Sequence, residues 1–170
     1  NIDKNFIGQT ELLQKLDKKK ISNMFFYSKK IIIVSLTTHI CISKVSNIFK
    51  NKNFIYNKIL SINQTLKDDL NIPNPSIAIA GINPHAGENG VISNYEIKYL
   101  SPVIKKLQNK KINIYGPLSA DTLFSKSNRK KYNCFVCTFH DQALIPFKII
   151  NNFCGVNYTG SLNIIRTSPD

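Results

Sequence analysis

Short β-branched apolar runs, each giving way to a polar loop, limit the folds open to this chain. Ile31-Ile32-Ile33-Val34-Ser35-Leu36, Ser76-Ile77-Ala78-Ile79-Ala80-Gly81 and Cys134-Phe135-Val136-Cys137-Thr138-Phe139 are the main ones. Runs this short and apolar on both faces fit strands buried beneath helices on either side. Ile112-Asn113-Ile114-Tyr115 reads as a further strand, followed by Gly116-Pro117. Between the runs lie helical periods. Ile55, Ile59, Ile62, Leu66 and Leu70 recur at three and four residues, one face of a helix, with Pro73 and Pro75 beyond it as stops. Ser93 and Glu96 predict a capping box for another helix, whose apolar face is Ile97, Leu100, Ile104 and Leu107. A short helix is expected near residues 119–121, and strand with a turn at Gly160 over residues 155–165. Strands alternating with helices predict an α/β domain with a largely parallel sheet flanked by helices. In such sheets ligands bind beyond the carboxyl ends of the strands.

Composition narrows the function. The chain has 170 residues, enough for one domain with its own core. It opens on Asn1 and its only methionine is Met24, so a piece of a longer product is expected. The net charge of +13 raises nucleic acid as a partner. Yet the charge is mostly scattered lysine, with arginine only at Arg129 and Arg166, whereas base and phosphate recognition favour arginine. The lysines read as compositional drift and solvated helix faces, and no nucleic-acid partner is expected; a basic nucleic-acid-binding module is the rival from another class. No apolar run is long enough to span a bilayer, so no membrane partner is expected. Cys41, Cys134, Cys137 and Cys154 show no disulfide framework. The Cys134/Cys137 pair lies within an apolar strand and reads as two small buried side chains. A reducing, cytoplasmic location is expected.

The three histidines, His39, His85 and His140, each follow the carboxyl end of a different predicted strand. Singly, each reads as an ordinary loop residue. If the strands share one parallel sheet, all three imidazoles lie along one edge. Three neutral imidazoles can hold a divalent cation and leave positions open for a substrate oxygen.

The segments around these histidines are specific. Thr37-Thr38-His39, Asn83-Pro84-His85-Ala86-Gly87-Glu88, Gly116-Pro117-Leu118-Ser119-Ala120-Asp121-Thr122-Leu123-Phe124, Phe139-His140-Asp141-Gln142, Gly155-Val156-Asn157 and Ile165-Arg166-Thr167-Ser168-Pro169-Asp170 follow one another in order. Together they closely resemble the 4-hydroxythreonine-4-phosphate dehydrogenase family. The resemblance implies a fold like that of isocitrate and isopropylmalate dehydrogenases. Residues 1–170 would then form a single α/β domain, metal- and substrate-binding and dimerising, from a larger two-domain enzyme whose other domain is mostly absent here. It implies NAD (or NADP) as cofactor, bound without a GxGxxG loop, and a divalent metal (zinc, cobalt, manganese or magnesium) on His39, His85 and His140, near a homodimer interface. It implies NAD-dependent oxidation of 4-phosphooxy-L-threonine followed by decarboxylation to 3-amino-2-oxopropyl phosphate, in pyridoxal 5'-phosphate biosynthesis.

Substrate contacts are implied from Thr10, Lys148, Asn157 and Arg166, with Gln9 beside them. Arginine clamps an oxyanion bidentately, a role for Arg166, and asparagine both donates and accepts. Lys148 is the cation expected to stabilise a developing enolate. Asp121 and Asp141 are expected to orient a histidine or assist proton transfer. Gln9 stands where the family has histidine, and an amide side chain cannot become cationic. That departure supports an alternative: a divergent, inactive relative that keeps the fold and the metal site.

Overall fold

In a computed structural model, residues 9–18 and 21–169 are described. Helix α1 (Gln9–Leu16) precedes strands β1 (Asn23–Tyr27) and β2 (Ile32–Ser35). Helices α2 (Ile42–Phe49) and α3 (Lys52–Asp68) lead to β3 (Ile77–Ala80), then α4 (Ser101–Asn109) to β4 (Ile114–Leu118). Short helices α5 (Ala120–Leu123) and α6 (Lys126–Lys131) precede β5 (Cys134–Cys137), α7 (His140–Asn151), β6 (Val156–Gly160) and β7 (Thr167–Pro169). The strands form one seven-stranded sheet in the order β4-β3-β5-β2-β1-β6-β7.

The α/β class is as expected, but the sheet is mixed. Strands β4, β3, β5 and β2 are parallel neighbours, whereas β2/β1, β1/β6 and β6/β7 pair antiparallel. The expected parallel character therefore holds for one half. Strand β1 was not among the expected elements, and its insertion beside β2 starts the antiparallel half.

Alternation along the strands sorts side chains onto two cores. Ile32, Val34, Ile77, Ile79, Cys134 and Val136 face α2, α3 and α4. Ile33, Ala78, Ala80, Phe135 and Cys137 face Leu123 of α5 and Ala143 and Phe147 of α7. Cys134 and Cys137 thus lie on opposite faces, which rules out a dithiol pair. Burial pushes both thiols above the ordinary range. Helix α3 behaves as its spacing predicts: Ile55, Ile59, Ile62 and Leu66 are fully buried, each worth roughly 1.5–3 kcal/mol of burial. Asn51 caps it, accepting from the Phe54 amide at 3.0 Å.

Two local expectations give way. Ser93 and Glu96 do not form a capping box. The Ser93 hydroxyl accepts from the Tyr95 amide at 3.1 Å, while the Glu96 carboxylate turns inward to accept from Ile82 and Asn83. The helix there opens with a wider π-turn (Glu96–Leu100). An extra residue in that turn rotates the face, so Glu96 is buried and Ile97 is 50% exposed. Residues 161–166 form the turn between β6 and β7 rather than strand.

Candidate active site

The parallel half positions the polar residues. Its four strands run the same way, so their carboxyl ends share one edge. In sheet order that edge carries Asp121 after β4, His85 after β3, His140 after β5 and His39 after β2. Neighbouring strands lie about 4.8 Å apart, so these side chains form a row.

His39 and His140 come together, with ring centroids 5.7 Å apart. Their loops are tied: Leu36 N donates to Cys137 O at 2.9 Å, and Thr37 Oγ1 donates to Thr138 O at 2.7 Å. Thr38, His39, Ile40, Phe139, His140 and Asp141 line a cleft of about 330 Å³. His140 Nδ1 lies 2.7 Å from Asp141 Oδ1, and Phe26 meets the ring edge-on at 6.5 Å between centroids. The carboxylate fixes the ring orientation and leaves Nε2 for a ligand.

His85 opens onto the next cleft, lined with Asn83, Pro84, Asp121, Phe139 and Gln142. Phe139 belongs to both clefts. His85 Nδ1 lies 3.5 Å from Asp121 Oδ2, and both side chains are more than half exposed. A hydrogen bond from the Ser119 hydroxyl, then one from the Thr122 amide, hold the Asp121 carboxyl below its usual range. Asp121 therefore presents a carboxylate to His85. The loop carrying His85 is left-handed from His85 through Asn89, with φ of +49°, +51°, +78°, +45° and +52°. Such a run costs roughly 1–2 kcal/mol for each residue other than glycine. Strain of that kind gathers at functional sites.

Gln142 joins the two clefts. Its Oε1 accepts from Thr138 N at 2.7 Å and Thr138 Oγ1 at 2.9 Å, and its Nε2 donates to Gly81 O at 3.0 Å. It therefore fastens the turn bearing His140 to the strand end that feeds His85. Its main-chain carbonyl cannot receive the usual helical bond, because the residue four positions on is Pro146. The Cys137 thiol donates to that carbonyl instead, at 3.4 Å.

Three imidazoles with two carboxylates behind them are a chemically suitable donor set for a divalent cation. Of the three imidazoles, His39 and His140 line one described cleft and His85 lines its neighbour. Among the described residues, no three His, Cys, Asp or Glu side chains converge closely enough to hold a metal ion.

The expected substrate residues are spread differently. Asn157 pairs with Phe26 across β6 and β1, so its side chain lies on the α7 face with Phe26, Phe147 and His140. Its Oδ1 is buried without a hydrogen-bond partner in the structure. Arg166 Nη1 donates to Thr159 Oγ1 at 3.4 Å, which brings the guanidinium to the same face. Lys148 lies over the Phe153 ring, 5.6 Å from its centroid. That is two turns along α7 from His140, roughly 12 Å. The side chains of Gln9 and Thr10 lie outside the described residues.

The family profile described as pyridoxal phosphate biosynthetic protein PdxA matches residues 2–170. The chain belongs to the PdxA family. A D-threonate 4-phosphate dehydrogenase from Pectobacterium atrosepticum is 37% identical over 163 residues, covering 96% of this chain and 49% of the relative. A 4-hydroxythreonine-4-phosphate dehydrogenase from Desulforapulum autotrophicum is 39% identical over 165 residues, covering 97% and 48%. The crystal structure of a 4-hydroxythreonine-4-phosphate dehydrogenase from Klebsiella pneumoniae superposes with a TM-score of 0.87 at 36% identity, covering 96% of this chain and 49% of that one. The chain thus spans about half the length of the PdxA relatives it matches. No described helix is long and apolar enough to cross a membrane.

In this PdxA chain the three histidines and two aspartates singled out from the sequence lie at or beside the carboxyl ends of the parallel strands. Sequence reasoning missed the structural roles of Gln142 and Glu96 and the contact of Phe26 with His140. Gln142 had a signal, since it stands two residues after His140. Glu96 and Phe26 had none, because each acts across a distance that sequence spacing does not encode.

Proposed function

We propose that this chain forms the metal- and substrate-binding α/β domain of a two-domain, homodimeric cytoplasmic dehydrogenase that oxidises a phosphorylated, threonine-derived hydroxy acid with NAD. The observation that carries the reading is the row Asp121, His85, His140, His39 along the carboxyl ends of four adjacent parallel strands, in a chain of the PdxA family. In the assembled dimer His39, His85 and His140 would hold the divalent cation, with Asp141 and Asp121 orienting His140 and His85. Bound there, the cation would acidify a coordinated substrate hydroxyl, and the nicotinamide would accept the hydride.

This chain's own residues bind and orient. Arg166 meets an oxyanion of the substrate bidentately. Asn157 offers an acceptor that is buried and unpartnered in this structure, suited to an amine or hydroxyl. Lys148 supplies positive charge toward the electron density left when carbon dioxide departs. With 4-phosphooxy-L-threonine as substrate, oxidation and decarboxylation give 3-amino-2-oxopropyl phosphate. The Pectobacterium relative favours a second reading, in which the substrate is D-threonate 4-phosphate, carrying a hydroxyl in place of the amine.

The test is NADH formation by the full-length protein, offered each substrate with and without a chelator. The proposal predicts turnover of one substrate, abolished by chelation and restored by added divalent metal. Absence of turnover with either substrate, in a protein that folds and binds metal, would establish the inactive-relative alternative.

A further inference from the structure

The loop carrying His85 is left-handed over five residues, a conformation disfavoured at each of the four that are not glycine. The side chain of Glu96 lies against it. Glu96 is only 2% exposed. Its Oε1 accepts from Ile82 N at 2.9 Å and Asn83 N at 2.8 Å, and Asn83 Nδ2 donates to both carboxylate oxygens at 3.2 Å. An ionised carboxylate accepts and never donates, which suits a ring of N–H groups. The backbone presses against it from both ends of the loop. A Cβ at Gly81 would stand 3.3 Å from Glu96 Oε1, and one at Gly87 would stand 2.6 Å from Oε2. The π-turn is what aims this side chain inward. The preceding residue ties the same turn to the helix after His39, since the Tyr95 hydroxyl donates to Ser46 O at 2.9 Å.

We propose that Glu96 is a positioning residue for His85: its carboxylate locks the left-handed loop, and so fixes where that imidazole stands relative to His140 and His39. The consequence for metal binding rests on the reading of His85 as a ligand; the locking of the loop does not. The test uses full-length protein with E96A, E96Q and H85A. Hydrogen exchange is followed over residues 82–92, and Co²⁺ alone is titrated by calorimetry. In E96A, exchange over 82–92 should rise on the order of tenfold while β2 and β5 stay protected. Co²⁺ affinity should fall about tenfold to a hundredfold. E96Q keeps an acceptor oxygen for Ile82 and Asn83 and should restore most of both. Should E96A fail to fold, N83A, which removes two of the four contacts, should open the same segment to a smaller degree.

Exchange over 82–92 unchanged in E96A, or raised evenly across the whole sheet with no rescue by E96Q, would overturn the proposal. H85A separates the two ideas. If H85A binds Co²⁺ like the parent, the ligand reading fails, and the exchange pattern still decides the role of Glu96.

Discussion

In the parallel half of the sheet, β4, β3, β5 and β2 end at one edge and hand over to Asp121, His85, His140 and His39. In the antiparallel half, β6 and the turn that follows it place Asn157, Thr159 and Arg166 on a face beneath α7 rather than at an edge. The difference follows from strand direction. Parallel strands all present their carboxyl ends together, so chemistry gathers in the loops. Antiparallel strands alternate their ends, so side chains converge only where the pleat brings them to one side. The two halves thus divide the proposed labour, with electrophilic catalysis at the edge and recognition of substrate oxygens on the face. Phe26 joins them, packing on His140 and Phe147 while pairing with Asn157.

The comparison can be broken most forcefully at the edge. H140A or H39A should abolish divalent-metal binding and lower kcat on the order of a thousandfold, a loss of several kcal/mol of transition-state stabilisation. Calorimetry and steady-state kinetics on the full-length protein check this. A variant that kept parental metal affinity would remove that imidazole from the site. Next comes the packing that joins the halves. Phe147 is fully buried between α7 and β1, so F147A should cost about 3–5 kcal/mol in urea unfolding. D141N keeps the shape of the side chain but weakens the brace on His140, and metal affinity should drop about tenfold or more. A value equal to the parent's would mean the carboxylate only caps α7.

On the face, R166K retains the charge and loses the planar fork. KM should rise about tenfold with kcat nearly unchanged. An equal fall in kcat would move Arg166 from recognition into the chemical step.

The smallest effect is chemical. The Ser43 hydroxyl and amide, with Lys44 nearby, hold the exposed Cys41 thiol below its ordinary pKa, whereas burial raises Cys134 and Cys137. A lowered pKa means thiolate forms as pH rises, earlier than for a free cysteine. Alkylation of the native protein near neutral pH should therefore modify Cys41 and spare Cys134 and Cys137. Mass spectrometry of the labelled peptides reads it directly.

The parallel half was far more legible in the sequence than the antiparallel half. Strands buried on both faces announce themselves as unbroken apolar runs, and Ile32-Ile33-Val34 and Ile77-Ala78-Ile79 did so. The fully buried α3 face followed from its spacing. Strand β1 was overlooked because Asn23-Met24-Phe25-Phe26-Tyr27 carries no β-branched residue, although Phe25 and Phe26 are both fully buried. Helix α7 was overlooked because Pro146 interrupts its pattern, and only the structure shows the Cys137 thiol supplying the missing donor. Ile97 was assigned inward because a regular helix was assumed; the π-turn exchanges it with Glu96. Within the site, the motif-bearing residues were legible one by one. Their relation was not, because the closeness of His39 and His140 depends on β2 lying beside β5, a pairing across about a hundred residues of chain.

The most direct test of the central claim is the structure of the full-length protein, in whatever assembly it forms, crystallised with zinc. The account predicts one ion with three imidazole nitrogens, from His39, His85 and His140, at about 2.0–2.1 Å. An ion held by other side chains, or three rings that stay apart with no ion between them, would contradict it.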